Sequence, residues 1–109
     1  MITSSLNFSQ LDPKTYKTLV EEKPTAVLVD VRSPGEYAEG HIQNAINIDY
    51  YADDFEDDLN LLDKNTPYFV YCRTGERSLK AMNTMKEIGF GEVYDLKGGL
   101  VAWQVAFNI

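Results

Sequence analysis

Residues 67–88, PYFVYCRTGERSLKAMNTMKEI, combine a short apolar run with an amphipathic segment that follows it directly. The run at 67–72 has the length and continuous apolarity of a strand covered on both faces, as parallel strands usually are. The segment after it repeats apolar residues every three positions and predicts a helix from Arg77 or Ser78 to Ile88, closed by Gly89. The repeating residues are Leu79, Met82, Met85 and Ile88. A strand that leads into a helix is the building unit of a parallel α/β sheet.

The same alternation of strand and helix signals continues on both sides of this stretch. Strands are predicted at 25–31 (TAVLVDV), 45–48 (AINI) and 92–96 (EVYDL). Helices are predicted at 11–22, from Ser33 to Gly40, at 53–63 and at 98–107. Asp12 before Pro13, and the Ser33–Glu36 capping box, are start signals for the first two helices. The pattern predicts one α/β domain over residues 1–109, with a small, mostly parallel central sheet and helices on both faces.

Length, composition and charge exclude several classes of protein. The chain has 109 residues, of which 44% are hydrophobic and 25% charged, as is typical of a folded soluble domain. No apolar run approaches the ~20 residues of a membrane-spanning helix, and the first residues lack the pattern of a secretory leader. The net charge of -7 disfavours nucleic-acid binding, because the phosphate backbone would be repelled. A single cysteine cannot form an internal disulfide, so we expect a cytoplasmic protein. From the charge and the lack of long apolar runs, we expect no nucleic-acid and no membrane partner.

That cysteine, Cys72, stands where a buried strand ends and a loop leads into a helix. Reactive groups in parallel sheets collect at this edge, at the carboxyl ends of the strands. The loop amides and the helix N-terminus would converge on the sulfur and form an anion-binding nest, with Gly75 supplying conformational freedom. Arg73 and Arg77 add positive charge, directed either at a ligand or at structural acids. Such a field favours the thiolate, so the sequence predicts that Cys72 is an activated nucleophile.

Two other interpretations of this cysteine stay open. A lone cysteine is often a small buried hydrophobe, and the domain would then be a non-catalytic binding module. A cysteine-dependent phosphatase or arsenate reductase would use the same thiolate, but phosphatase loops place one residue more between cysteine and arginine. Here four residues separate Cys72 from Arg77. The smaller loop suits a terminal sulfur atom better than a whole phosphate.

Three motifs, taken together, resemble those of the single-domain rhodaneses, which are sulfurtransferases. The stretch at 27–48, VLVDVRSPGEYAEGHIQNAINI, is similar to the first signature of that family. The stretch at 71–78, YCRTGERS, resembles its six-residue active loop, and 96–104, LKGGLVAWQ, resembles its closing signature. The motifs occur in the family's order and spacing, and the resemblance covers the chain nearly end to end.

The resemblance implies a persulfide carried on Cys72 and a double-displacement reaction without a metal or organic cofactor. The donor would be a small molecule such as thiosulfate, and the acceptor cyanide, a thiol or a protein partner. The substrate cradle would comprise the loop residues Arg73, Thr74, Gly75, Glu76, Arg77 and Ser78. Family loops often have a neutral residue where Glu76 stands, and its charge is expected to make dianionic thiosulfate a poor donor.

The remaining polar residues of the motifs are expected to be structural. The resemblance gives His41 a structural place and gives Asp30 and Arg32 the task of organising a strand end beside the loop. We also consider that Arg32 could instead pair with Glu36 across one helical turn at the surface, where such pairs contribute little. The two glycines at 98–99 are expected to permit a tight turn before the last helix.

Overall fold

Five parallel strands and five helices alternate along residues 7–109, the part of the chain that the computed structural model describes. In chain order they are β1 (Phe8–Leu11), α1 (Pro13–Glu22), β2 (Val27–Asp30), α2 (Pro34–Glu39), β3 (Ile46–Asn47), α3 (Phe55–Asn60), β4 (Tyr68–Tyr71), α4 (Glu76–Glu87), β5 (Val93–Leu96) and α5 (Gly99–Phe107). The predicted α/β class with a small parallel sheet is confirmed. No helix in this part of the chain has the length and apolarity needed to cross a membrane.

The starts of the first two helices follow from their sequences. The side chain of Asp12 accepts a hydrogen bond of 2.8 Å from the amide of Thr15, and Pro13 takes the first helical position of α1. At α2, the Ser33 hydroxyl accepts from the Glu36 amide while the Glu36 carboxylate accepts from the Ser33 amide. These bonds satisfy amides that a helix N-terminus leaves unpaired, as the capping signals predicted.

The sheet has the strand order β1-β5-β4-β2-β3, which places β4 at its centre. In the pairing register, Tyr71 at the end of β4 lies beside Asp30 of β2, and Val70 lies beside Asp95 of β5. The carboxyl end of β4 is therefore flanked by one acid on each side. All three strands end at the same edge of the sheet, because all of them are parallel.

Helices cover both faces of the sheet, as predicted. On one face, the buried side chains of α3 and α4 pack on Val29, Val70 and Val93 of the sheet. On the other, Tyr16 of α1 and the partly buried Trp103 of α5 pack on alternate residues of the same strands. Burial on both faces explains why the central strands are continuously apolar in sequence.

Three features differ from the sequence-based expectations. Strand β1 was not predicted, because the segment FSQL contains two polar residues and forms an edge strand rather than a central one. Helix α3 is shorter than the predicted 53–63. Helix α4 begins at Glu76, one or two residues before the predicted start at Arg77 or Ser78, and directly after Gly75, whose φ is +109°. The expectation about a secretory leader falls largely on residues 1–6, which lie outside the described residues.

Candidate active site

Cys72 follows the last residue of β4 and is 1% exposed. It lies at the edge where the parallel strands end, at the base of the loop that leads into α4. The predicted position of the cysteine between a central strand and a helix N-terminus is therefore observed. A buried sulfur at such a place meets the positive end of the helix dipole.

The sulfur atom accepts hydrogen bonds from three donors among the described residues. The amide of Gly75 lies 3.1 Å from Sγ, and the amide of Ser78 lies 3.4 Å from it. The hydroxyl of Ser78 adds a third contact at 3.3 Å. Three donors on one sulfur favour a negative charge there, because each donor stabilises an anion more than a neutral thiol.

The first turn of helix α5 forms hydrogen bonds with the backbone at the start of the loop that follows β4. The amides of Leu100 and Val101 donate to the carbonyls of Cys72 and Arg73, at 2.9 and 3.1 Å. The expected tight turn is present, with φ +78° at Gly98 and +65° at Gly99. A Cβ at Gly99 would lie 2.4 Å from the carbonyl oxygen of Arg73, so a side chain cannot be accommodated there. The glycine pair thus does more than turn the chain, since it lets α5 touch the active loop.

Arg77 forms an ion pair with a structural acid, Glu36, at the edge of the loop. Its two terminal nitrogens bind the two carboxylate oxygens of Glu36, at 2.9 and 3.2 Å. The guanidinium of Arg77 lowers the pKa of Glu36 to about 2, and the carboxylate in turn raises the pKa of Arg77. This ion pair connects the active loop to α2. Of the two partners considered for Arg77 from the sequence, a ligand or a structural acid, the structure shows the acid.

The expectation that Arg32 pairs with Glu36 at the surface is wrong. Arg32 is 4% exposed and binds both carboxylate oxygens of Asp30, which is fully buried. It also donates to the carbonyl of Gly40 at 2.6 Å. The residue spacing suggested a helical pair, but Asp30 lies closer because the chain turns sharply after β2. This arrangement agrees with the proposed structural task of Asp30 and Arg32, because both charges are satisfied inside the protein.

A pocket of about 560 Å³ opens above the loop, and we call it the active-loop pocket. Its lining combines loop residues with an aromatic pair from the β3–α3 connection and one lysine of α4: Tyr50, Tyr51, Cys72, Arg73, Thr74, Glu76, Arg77 and Lys80. Glu76 is exposed and lines the same pocket as Arg73 and Lys80. Sequence reasoning missed Lys80, although its position one helical turn after Glu76 was a signal that could have found it. Tyr50 and Tyr51 had no signal, because they reach the pocket only through the folded chain.

His41 lies outside the active-loop pocket. Its Nδ1 is 2.8 Å from the carbonyl oxygen of Tyr37, and its ring stacks on that of Tyr37 with 3.7 Å between centroids. A larger groove of about 590 Å³ includes His41 and Trp103 but not Cys72. The structural place expected for His41 is consistent with these contacts.

Comparison with known proteins identifies related sequences over most of the chain. The family model described as "Rhodanese-like domain" matches residues 12–106. The "Thiosulfate sulfurtransferase GlpE" of Ectopseudomonas mendocina is 32% identical over 92% of this chain and 88% of its own length. The "Putative sulfurtransferase YtwF" of Bacillus subtilis is 31% identical over 91% of this chain and 93% of its own length.

A solved structure shows the same fold. The rhodanese-like domain protein from Staphylococcus aureus superimposes with a TM-score of 0.76 at 32% sequence identity. The match covers 87% of this chain and 90% of that protein. The family match, at residues 12–106, includes the strand, loop and helix that hold Cys72.

Proposed function

Because the chain belongs to the rhodanese-like domain family, we propose that it is a sulfurtransferase that works through a persulfide on Cys72. It would move sulfane sulfur from a donor such as thiosulfate to a thiophilic acceptor. The observation that carries this proposal is the set of three hydrogen-bond donors on Sγ, two of them backbone amides at the start of α4. Preorganised donors of this kind stabilise an anionic sulfur without reorganising during the reaction.

In the first half-reaction, the thiolate of Cys72 attacks the outer sulfur of the donor. With thiosulfate, the sulfur–sulfur bond of the donor breaks, and sulfite leaves with the electron pair. The products are a Cys72 persulfide with one negative charge and the sulfite dianion, so charge is conserved. Covalent catalysis of this type divides one transfer into two easier displacements.

In the second half-reaction, the acceptor attacks the outer sulfur of the persulfide. Cyanide or a thiolate supplies the electron pair, the persulfide bond breaks, and Sγ departs as a thiolate. The donors from Gly75 and Ser78 stabilise this leaving group, just as they stabilise the nucleophile in the first half. No proton has to move at the sulfur, so the cycle needs no histidine base.

The length of the loop disfavours the phosphatase alternative. Only four residues separate Cys72 from Arg77, which leaves less room for a whole phosphate than a phosphatase loop does. The charge of Arg77 is also partly neutralised, because its terminal nitrogens bind the carboxylate of Glu36. The binding-module alternative leaves the three donors on Sγ without a purpose, since a cysteine that only fills space needs none of them.

Intact mass spectrometry tests the proposal directly, because the chain has one cysteine and any bound sulfur must sit on it. After incubation with thiosulfate or an organic persulfide, the protein is expected to gain the mass of one sulfur atom and to lose it again to cyanide. The Cys72→Ser variant, which keeps the fold, is expected to gain nothing and to lose turnover entirely. Sulfur transfer by that variant, or hydrolysis of an aryl phosphate by the native chain, would contradict the proposal.

Glu76 is proposed to set the preference among donors. Its exposed carboxylate lines the active-loop pocket and opposes the charges of Arg73 and Lys80. Dianionic thiosulfate should therefore be a poorer donor than an organic persulfide, which carries less charge. A reducing compartment such as the cytoplasm would keep the single thiol available between turnovers.

A further inference from the structure

Asp95 is a buried acid close to the active loop that the reaction described above does not use. It lies on β5 with no exposed surface. Gln10 of β1 donates to its Oδ2 at 2.9 Å, whereas Oδ1 has no hydrogen-bond partner among residues 7–109. An ionised carboxylate in such surroundings is costly, and a buried polar atom without a partner calls for a reason.

The hydroxyl of Ser78 lies between this acid and the nucleophile. It contacts Sγ of Cys72 at 3.3 Å and the carbonyl oxygen of Gly75 at 3.4 Å. It is also among the groups that lower the pKa of Asp95, although it forms no hydrogen bond to Oδ1 in the rotamer observed. A hydroxyl has one proton and can rotate, so the three acceptors compete for the same proton.

We infer that Asp95 is a positioning residue for Cys72 and acts through the hydroxyl of Ser78. When Asp95 is protonated, it does not compete for the hydroxyl proton, which stays on Sγ as the third donor. When Asp95 is ionised, it draws that proton toward Oδ1, and Sγ loses a donor while a negative charge appears nearby. The inference rests on the proposed function in one respect, namely that Cys72 is the nucleophile.

The groups around Asp95 allow this exchange near neutral pH. Burial raises the pKa of Asp95 to about 6, against the smaller lowering effects of Ser78 and Gln10. From α1, the buried Tyr16 faces the acid, and the charge of Asp95 contributes to the raised pKa of its phenol. From β4, its register partner is the apolar Val70. Within residues 7–109 no Lys or Arg forms an ion pair with Asp95.

If both ionised, Asp95 and Sγ would place two negative charges near the single hydroxyl proton of Ser78. Like charges disfavour each other's ionisation, so the pair prefers to hold one negative charge at a time. After sulfur uptake, the charge moves to the outer atom of the persulfide, and Sγ becomes a neutral bridging sulfur. The hydroxyl of Ser78 is then free to turn to Asp95, which links the state of the acid to the stage of the cycle.

The rate of alkylation of Cys72 by iodoacetamide, measured from pH 4 to 9, tests this inference without any sulfur transfer. The Asp95→Asn variant is expected to shift the midpoint of the rate profile to lower pH by roughly half to one unit. At pH values below the midpoint, alkylation should then be about three to ten times faster than in the native chain. A purely structural role for Asp95 would change stability but would leave the midpoint in place.

Three further variants make the result decisive. In the Ser78→Ala background, the shift caused by Asp95→Asn should shrink, because the connecting hydroxyl is gone.

Gln10→Ala removes a donor that lowers the pKa of Asp95, so the acid should stay neutral to a higher pH. The midpoint should then shift in the same direction as in Asp95→Asn, and this variant provides the test if Asp95→Asn fails to fold. Glu92→Gln is the matched control, since it removes a charge that pairs with Lys23 just before the start of β5 and should leave the midpoint unchanged.

An unchanged midpoint in Gln10→Ala and Asp95→Asn would overturn the inference. So would an equally large shift with and without the Ser78 hydroxyl, because Asp95 would then act directly through space. Failure of the proposed function is a separate result: the native chain would show the predicted alkylation profile but would gain no sulfur by mass spectrometry.

Discussion

At position 95, a buried acid lies between an apolar valine on β4 and a single amide donor, Gln10, on β1. Burial raises the pKa of Asp95 from 3.8 to about 6, so the native state binds this proton more tightly than the unfolded chain does. The contribution of this proton to the free energy of unfolding is therefore fully present below about pH 4. It is lost as the pH rises through about 6, and above that pH the ionised acid makes no such contribution.

Asp95→Asn is therefore expected to raise the free energy of unfolding at pH 7.5 by about 2–3 kcal/mol, following the two-unit shift. The advantage should shrink toward zero at pH 4, where the native acid is already neutral. Urea denaturation of both proteins at each pH measures the difference in the free energy of unfolding. Acids with a lowered pKa, such as Glu36, have the opposite pH dependence, but both proteins contain them, so their contributions cancel in the difference. A difference that stays constant with pH would show that Asp95 does not titrate in this range.

The sequence predicted the place of Cys72 in the fold better than it predicted the partners of the neighbouring side chains. Cys72 stood out because its strand, its loop and its helix are contiguous in the chain. The partner of Arg77 is 41 residues away in sequence, and no local pattern could choose between Glu36 and a ligand. For Arg32, the alternative of a helical pair with Glu36 is wrong, because the helical spacing took no account of Asp30, which lies within reach two residues earlier.

At the scale of elements, the contact between α5 and the active loop depends on the absence of a side chain at position 99. Gly99→Ala would place a Cβ within 2.5 Å of two backbone atoms of Arg73, at a residue whose φ is +65°. We expect the variant to lose about 2–4 kcal/mol of stability, because left-handed strain and backbone overlap add together. Displacement of Arg73 should also disturb the amide of Gly75, so persulfide formation should slow.

Gly35→Ala is the matched control for this change. A Cβ at Gly35 meets no atom within 4 Å, and the residue lies inside α2 without a positive φ. The control should be neutral or up to about 1 kcal/mol more stable, because alanine favours the helix. Urea denaturation and intact mass after thiosulfate treatment provide the two measurements. Similar behaviour of the two variants would mean that α5 does not position the loop.

The elements themselves were predictable to the extent that their signals are local. Capping residues at Asp12 and Ser33 gave the starts of α1 and α2, and apolar runs gave β2, β4 and β5. The start of α4 was placed late, because the stripe of apolar residues begins after the polar first turn. β1 had no local signal, since its pairing with β5 joins residues about 85 positions apart.

At the scale of the whole molecule, β1 completes a sheet whose other four strands lie within residues 12–106, the range matched by the family model. Its four residues pair in register with β5, from Phe8 beside Val93 to Leu11 beside Leu96. Phe8 and Leu11 pack against the clusters on opposite faces of the sheet, so this one strand contributes to both layers. The carbonyl of Leu11 also accepts a bond of 2.8 Å from Lys97, at the turn before α5.

A chain that begins at Asp12 should therefore fold less stably than one that begins at Phe8, which keeps β1 and serves as the matched control. Loss of the ladder and of two partly buried apolar side chains predicts a decrease of roughly 3–5 kcal/mol in the free energy of unfolding. The exposed edge of β5 should also promote association at high concentration, because its unpaired backbone can accept another strand. Urea denaturation and light scattering measure the two effects. Equal stability of the two shortened chains would show that the four strands from β2 to β5 hold the fold without β1, and that Gln10 is not needed to keep Asp95 buried.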